Sequence, residues 1–87
     1  MNGRALIAWN LRRIRVKRGL SQERLAFDAE VDRSYVGGLE RHEENPTVDL
    51  LDRLAKTLEV PIAELFKQPR AGDARPKPLQ RGRKRLR

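Results

Sequence analysis

The stretch of sequence that decides the fold is QERLAFDAEVDRSYVGGLER, residues 22–41. Small or apolar residues occupy positions 4, 5, 8, 10, 15 and 18 of this stretch, namely Leu25, Ala26, Ala29, Val31, Val36 and Leu39. Ser21 and Asp32 each precede a short run with helical spacing, and their side-chain oxygens can accept hydrogen bonds from the free N–H groups of a helix start. The stretch therefore predicts two short helices joined by a tight turn, an arrangement that can present one helix to a groove.

Helical spacing continues on both sides of this stretch. A first amphipathic helix is predicted over residues 4–18, because its apolar residues recur at intervals of four and three and Gly19 can end it. Thr47 can cap a fourth helix with a continuous apolar stripe, and Pro61 can occupy the first position of a short fifth helix over residues 60–66. The inward residues are Ile7, Leu11 and Ile14 in the first helix, Val48, Leu51, Leu54, Ala55 and Leu58 in the fourth, and Ile62, Leu65 and Phe66 in the fifth. The sequence thus predicts an all-α domain of five helices.

Composition divides the chain into two parts. Residues 1–66 carry eleven basic and eleven acidic side chains, whereas residues 67–87 carry nine basic side chains and one acidic one, with prolines and glycines that break any helical period. We expect a folded domain over residues 1–66 and a disordered basic C-terminal arm over residues 67–87, because the arm has too few apolar residues to form a core. The first eighteen residues hold six cations and no acid. Positive charge segregated in this way indicates a polyanionic partner, with nucleic acid as the first candidate.

The same composition excludes other classes of function. With no cysteine and one histidine, the chain lacks the ligands of Cys/His metal sites, and its acids are scattered without a second type of catalytic residue. We therefore expect no metal, no cofactor and no enzyme activity. No apolar run approaches the ~18 residues of a membrane span. The arm offers only Leu79 and Leu86 to a bilayer surface, so we expect a soluble, cytoplasmic protein.

Three segments resemble the Cro and phage-repressor (XRE-like) helix-turn-helix family of transcriptional regulators. They are Gly19-Leu20-Ser21-Gln22-Glu23-Arg24-Leu25-Ala26, Leu39-Glu40-Arg41 and Asn45-Pro46-Thr47-Val48, and the likeness spans residues 7–66. The resemblance implies a compact lambda-repressor-like domain that binds double-stranded DNA sequence-specifically as a homodimer. It implies that the third helix enters the major groove and that the protein represses transcription from a near-palindromic operator. The same domain also serves as the antitoxin of toxin–antitoxin pairs, so binding of a protein toxin, with autoregulation of the promoter, is the alternative.

The resemblance also assigns roles to residues of helices 2 and 3. Gln22 matches a position that binds a DNA phosphate at the start of helix 2. Arg33, Ser34 and Gly38 match positions that face base edges, and Tyr35 lies beside them, where it can reach a phosphate or a thymine methyl group. An arginine can bind guanine through two hydrogen bonds, but it can equally hold a phosphate, so both interpretations of Arg33 stay open.

Further roles concern the end of helix 3 and the arm. Arg41 is expected to bind DNA, while Arg15 and Glu40 match a buried ion pair that ties helix 1 to helix 3. In the arm, Arg81 and Arg83 can enter a minor groove. A nonspecific polycation that binds any nucleic acid is the favoured interpretation of that segment.

Some residues depart from the family pattern or from the helical stripes. Glu30 stands where the family favours a glycine with positive φ, at a cost of ~1 kcal/mol. Gly37 and Gly38 lie inside helix 3 at about 1 kcal/mol each, so either this helix frays or its backbone approaches DNA closely. Residues 60–66 form the expected dimer interface. Three large apolar side chains outside the stripes are expected to pack at the rim of the core rather than bind a partner, namely Trp9, Phe27 and Leu50.

Overall fold

The computed structural model describes residues 1–70, which form four α-helices and one 3-10 helix. Helix α1 spans Gly3–Lys17, α2 Gln22–Ala29, α3 Arg33–Glu40 and α4 Val48–Thr57, and the 3-10 helix spans Ile62–Phe66. The described residues contain no strand, so the predicted all-α class is confirmed. Within the same residues, no helix is long and apolar enough to cross a bilayer.

The helix starts are where the local sequence places them. Three predicted capping side chains accept a backbone N–H at the start of their helices: Ser21 from Arg24 at 2.9 Å, Asp32 from Ser34 at 2.8 Å and Thr47 from Leu50 at 3.1 Å. Asn2 caps α1 in the same way through the N–H of Ala5 at 2.9 Å, a cap that the sequence reading missed. Each cap satisfies one of the N–H groups that have no partner within the helix.

The fifth element differs from its prediction. It is a 3-10 helix that begins at Ile62, because Pro61 has an extended conformation with ψ of 150° and stands before the helix rather than at its first position. The helix contributes Leu65, which has no exposed surface, to the core. Residues 1–70 therefore contain five helical elements, but the last is shorter and more tightly wound than an α-helix.

One hydrophobic core joins all five elements. Its most deeply buried side chains come from every helix, namely Leu11, Leu25, Val36, Leu54, Leu58 and Leu65. The inward predictions for Val48 and Phe66 are wrong: Val48, the first residue of α4, is 69% exposed and the inward stripe begins at Leu51, while Phe66 is 44% exposed. Leu50 packs against the core as expected, and Trp9 is half-buried. Phe27 is 77% exposed, so it is not a rim residue.

The turn between α2 and α3 depends on the residue that departs from the family pattern. Glu30 has φ of 58° and ψ of 46°, the left-handed conformation that its position predicts. This conformation lets the N–H of Val31 return to the carbonyl of Ala26 at 2.9 Å, which ends α2 with a closed hydrogen-bond ring. Only residues 30–32 separate the two helices. The predicted tight turn is therefore present, with the strain of a non-glycine residue built into it.

Asn10 fastens the 3-10 helix to α1. Its buried side-chain amide donates to the carbonyl oxygens of Leu65 at 3.0 Å and Lys67 at 2.9 Å. Its oxygen accepts from Arg13 at 3.1 Å. The contacts of the folded part thus continue one residue beyond the predicted boundary at residue 66, while most of the predicted arm lies outside the described residues.

Candidate nucleic-acid interface

Helix α3 has one face in the core and one face turned outward. Val36 and Leu39 have almost no exposed surface and hold the inward face. Residues 33, 37 and 41 form one row at intervals of four, residues 34 and 38 form the row beside it, and the two rows therefore share the outward face. Arg33 and Ser34 are exposed at its N-terminal end, and the Arg33 side chain is 67% exposed.

The N-terminal end of this face is held by Asp32. Its carboxylate accepts hydrogen bonds from the Ser34 N–H at 2.8 Å and from the Ser34 hydroxyl at 2.7 Å. The hydroxyl bond first and the backbone bond second hold the pKa of Asp32 below its ordinary value. The Ser34 side chain is thus fixed beside Arg33, with oxygen lone pairs left to accept a further hydrogen bond.

The C-terminal end of α3 is anchored by the pair that the resemblance predicts. Arg15 Nε lies 2.6 Å from Glu40 Oε2, and Arg15 Nη2 lies 2.9 Å from Glu40 Oε1. Both side chains are buried, and Arg15 Nη1 also donates to the carbonyl of Leu20 at 2.8 Å. Gln22 Nε2 donates to Glu40 Oε1 at 3.1 Å. Gln22, the residue predicted to bind a phosphate, is therefore held by a hydrogen bond to the ion pair.

The two glycines of α3 lie under side chains of the chain itself. A methyl group at Gly38 would come within 2.8 Å of both Cγ and Oε2 of Glu44. A methyl group at Gly37 would come within 3.0 Å of a guanidinium nitrogen of Arg41 and 3.5 Å of the Gln22 side-chain oxygen. Helix α3 is continuous through Glu40, so neither glycine frays it. The close approach that they permit is made by Arg41 and Glu44, two side chains that follow the helix.

The outward face carries paired charges. Arg41 Nη2 lies 3.1 Å from Glu43 Oε1, and the hydrogen bond and charge of Glu43 raise the pKa of Arg41. Arg33 lies 3.9 Å from Glu23. Outside this face, three of the six cations in the first eighteen residues also have carboxylate partners, namely Arg13 with Glu64, Arg15 with Glu40 and Arg18 with Glu59. Charge counted along the sequence therefore overstates the positive charge that the start of the chain offers to a polyanion.

The structure brings most of the predicted site residues onto one surface. Gln22, Arg33, Ser34, Gly38 and Arg41 all lie on or beside the outward face of α3. Their contacts with DNA stay a prediction. Arg81 and Arg83 lie outside the described residues.

Tyr35 lies at the edge of this surface rather than on it. It is half-buried, packs against the core, and lines a shallow cavity with Val31, Leu50 and Arg53. Burial first, and the charge of Glu44 second, raise its pKa. Among the described residues, no group of three or more His, Asp or Glu side chains is placed to hold a metal ion.

Comparison with known proteins identifies the family. The family model described as helix-turn-helix matches residues 11–65, a range that runs from α1 to the 3-10 helix. The chain belongs to this helix-turn-helix family. Its relatives carry the names of helix-turn-helix-type transcriptional regulators and control proteins. The prediction of an XRE-like helix-turn-helix regulator is therefore confirmed.

Three members of the helix-turn-helix family illustrate the likeness. A hypothetical transcription factor of Neisseria meningitidis is 38% identical over 66 residues, which cover 76% of this chain and 62% of that protein. The restriction-modification controller protein C.AhdI of Aeromonas hydrophila has a structure with a TM-score of 0.71 and 43% identity, over 72% of this chain and 96% of that one. The controller protein C.Esp1396I, solved as a tetramer with its natural 35-base-pair operator, has a TM-score of 0.67 and 31% identity, over 77% of this chain and 99% of that one.

Proposed function

We propose that this protein binds double-stranded DNA sequence-specifically as a homodimer and regulates transcription as a repressor. The observation that carries the proposal is the outward face of α3, where Arg33 and Ser34 are exposed at the start of the second helix of a helix-turn-helix. A helix placed in this way can enter the major groove, and its N-terminal side chains can reach base edges. The controller protein solved with its operator supports the proposal, because it shares this fold.

Within that site, we assign base contacts to Arg33 and Ser34 and backbone contacts to Gln22. Arg33 has a long, exposed side chain that lies 3.9 Å from the carboxylate of Glu23, so its guanidinium can exchange this carboxylate for guanine at little cost. Gln22 is half-buried at the start of α2, where a helix N-terminus favours a phosphate. We assign Arg41 to the flanking backbone, and Tyr35 to a phosphate or a thymine methyl group beside it.

Dimerisation is assigned to the surface around the 3-10 helix. Phe66 is 44% exposed there, and Pro61 and Ala63 are exposed beside it. The test is the molecular mass in solution, measured by light scattering, of Phe66→Ser and of a matched control, Phe27→Ser. Phe27 is more exposed but lies on α2, so we expect only Phe66→Ser to produce monomers. The assignment would be contradicted if the parent were a monomer. It would also be contradicted if both variants formed dimers that dissociate at the same protein concentration as the parent.

The proposed DNA binding is tested by selecting bound sequences from a random DNA pool and footprinting the protein on the selected sequences. We expect a near-palindromic motif whose half-site centres are about one helical turn, ~34 Å, apart. A reporter gene with this motif across its promoter should lose expression when the protein is present. Enrichment of no sequence above the starting pool would refute specific binding, and increased reporter expression would refute repression.

The role of the basic arm and the antitoxin alternative need their own measurements. We propose that residues 67–87 bind DNA through charge, because they hold nine cations and one acid. Preference for A·T-rich flanks, shown by the full chain and lost on truncation, would instead place Arg81 and Arg83 in a minor groove.

The antitoxin alternative predicts a neighbouring gene for a small nuclease whose product copurifies with this chain. We propose action by binding and not by catalysis, since the named relatives are regulators.

A further inference from the structure

We propose that Glu44 is a specificity-determining residue that selects cytosine in the major groove, and that Gly38 exists to seat it against the recognition helix. The proposal rests on the proposed function, because it concerns the same DNA-binding face. Glu44 lies in the loop after α3, where the resemblance to known regulators assigns no base contact. What points to it is the pair of buried glycines at the centre of that face.

We call the space over Gly38, which the Glu44 side chain fills, the seat. Residues 34 and 38 are one helical turn apart, so a side chain at position 38 would stand beside Ser34 on the outward face. In place of such a side chain, the Glu44 side chain lies flat against Gly38, with Cγ and Oε2 each 2.8 Å from where a Cβ would be. Any residue other than glycine would have to displace it.

The backbone of the loop directs Glu44 into this seat. The N–H of Glu43 donates to the carbonyl of Gly38 at 2.9 Å, and His42 has φ of 67°, so the chain reverses immediately after the helix. The Arg41 side chain lies over the neighbouring Gly37 in the same way. The C-terminal half of the outward face is therefore presented by two side chains from beyond the helix, one basic and one acidic.

The chemistry of the acid decides which base it selects. A carboxylate only accepts hydrogen bonds, and in the major groove cytosine and adenine each offer a donor amino group, whereas guanine offers only acceptors. Adenine places the acceptor N7 beside its amino group, where it repels a carboxylate, so cytosine is the base that fits. Glu44 is half-buried against Gly38, and burial first and the charge of Glu44 second raise the pKa of Tyr35. Once bound DNA excludes water, a carboxylate that faces a guanine or a phosphate would be left without a donor, so Glu44 also rejects the wrong base.

The competing explanation is general repulsion. A carboxylate near DNA weakens binding to every sequence, and its removal then raises affinity without changing the preferred motif. Selectivity and repulsion are separated by Glu44→Gln, which keeps the size of the side chain and removes the charge. Asp49→Asn is the matched control, because it removes one exposed negative charge from the first turn of α4 and leaves Glu44 and Gly38 unchanged.

The experiment is a sequence selection with the full chain, followed by affinity measurements on the parent's operator and on operators changed at one base pair. We expect the parent to prefer cytosine at one position of each half-site, and Glu44→Gln to lose about fivefold or more of that preference. Asp49→Asn should keep the same motif. An unchanged motif for Glu44→Gln would overturn the proposal in favour of repulsion. A parent protein that prefers adenine at that position would overturn the assignment to cytosine.

Gly38→Ala tests the seat without touching the acid. Its new methyl group would meet both Cγ and Oε2 of Glu44, so the side chain must rotate away from Cβ outward, while alanine favours the helix more than glycine does. We expect a thermal midpoint no lower than that of the parent, together with loss of the same base preference as in Glu44→Gln. Retention of the preference by Gly38→Ala would refute the seat. A parent that selects no motif at all would instead refute the proposed function, which keeps the two failures distinct.

Discussion

Replacement of Arg15 by Met should destabilise the domain far more than loss of a surface charge. The guanidinium of Arg15 binds both oxygens of Glu40, at 2.6 and 2.9 Å, and the two side chains are only 6% and 3% exposed. In the variant, Glu40 keeps one neutral donor, Gln22 at 3.1 Å, and the carbonyl of Leu20 loses its 2.8 Å bond. A buried carboxylate left in this state costs about 3–5 kcal/mol. For a domain of this size, each kcal/mol lowers the thermal midpoint by about 4–8 °C.

The assay is urea unfolding at fixed protein concentration, followed by far-UV circular dichroism and by the fluorescence of Trp9, the one tryptophan of the chain. Arg18→Met is the matched control, because Arg18 pairs with Glu59 at 2.9 Å on the surface and its loss should cost about 1 kcal/mol or less. Equal shifts for the two variants would refute the reasoning. So would failure of Glu40→Leu to recover stability in the Arg15→Met background, since an apolar pair removes the unpaired charge.

Three further predictions follow from the interface and the arm. Arg33→Ala should relax base preference at one position per half-site and cost about 1–3 kcal/mol on the preferred operator, whereas Gln22→Ala should weaken all sequences alike in competition assays. The same selected motif for parent and Arg33→Ala would reassign this arginine to a phosphate. Truncation after Gln68 removes eight cations and one acid, so the slope of log affinity against log salt should flatten by several units, at roughly 0.9 per phosphate contact, and an unchanged slope would mean that the arm does not touch DNA. Because hydrogen bonds from Ser34 depress the pKa of Asp32, its contribution to stability is present above the unfolded-state pKa and is lost as the pH falls through the folded-state pKa. Asp32→Asn keeps a capping oxygen without this titration, so the difference in melting temperature between parent and variant should narrow in acid, and a constant difference would contradict the assignment.

The parts of the fold that the sequence predicts are those with a local cause. A capping side chain acts within three residues, as Ser21 does for the N–H of Arg24, and an apolar stripe can be recognised from its spacing alone. Val48 shows the limit of spacing, because the first turn of a helix can project beyond the core that the rest of the stripe enters. The fifth helix shows another, since proline is equally compatible with the first helical position and with the extended residue before it.

The candidate site could be predicted only in part, because its contacts join distant residues. Arg15 and Glu40 are 25 residues apart, and only the likeness to known regulators paired them. The seating of Glu44 on Gly38 had no signal in spacing or family pattern. It depends on the reversal at His42, a left-handed residue in a loop whose conformation follows no sequence period. A glycine pair inside a helix nevertheless predicts that another group packs closely against the helix backbone. Here the group against Gly38 is Glu44, from the loop that follows the helix.

The charges of the described residues explain why the proposed arm matters to binding. Arg33 and Arg41 already face the carboxylates of Glu23 and Glu43, and residues 1–66 carry equal numbers of cations and acids. Each of these arginines has a carboxylate nearby and the charges of residues 1–66 cancel, so we infer that the domain alone has little net attraction for an arbitrary DNA sequence. If the arm binds DNA as proposed, its excess of cations should gain from counter-ion release on every sequence. Truncation should therefore lower affinity for the operator and for unrelated DNA by a similar factor and leave their ratio unchanged. If the ratio instead fell with truncation, the arm would have to contact bases, and the assignment of all discrimination to the domain would be wrong.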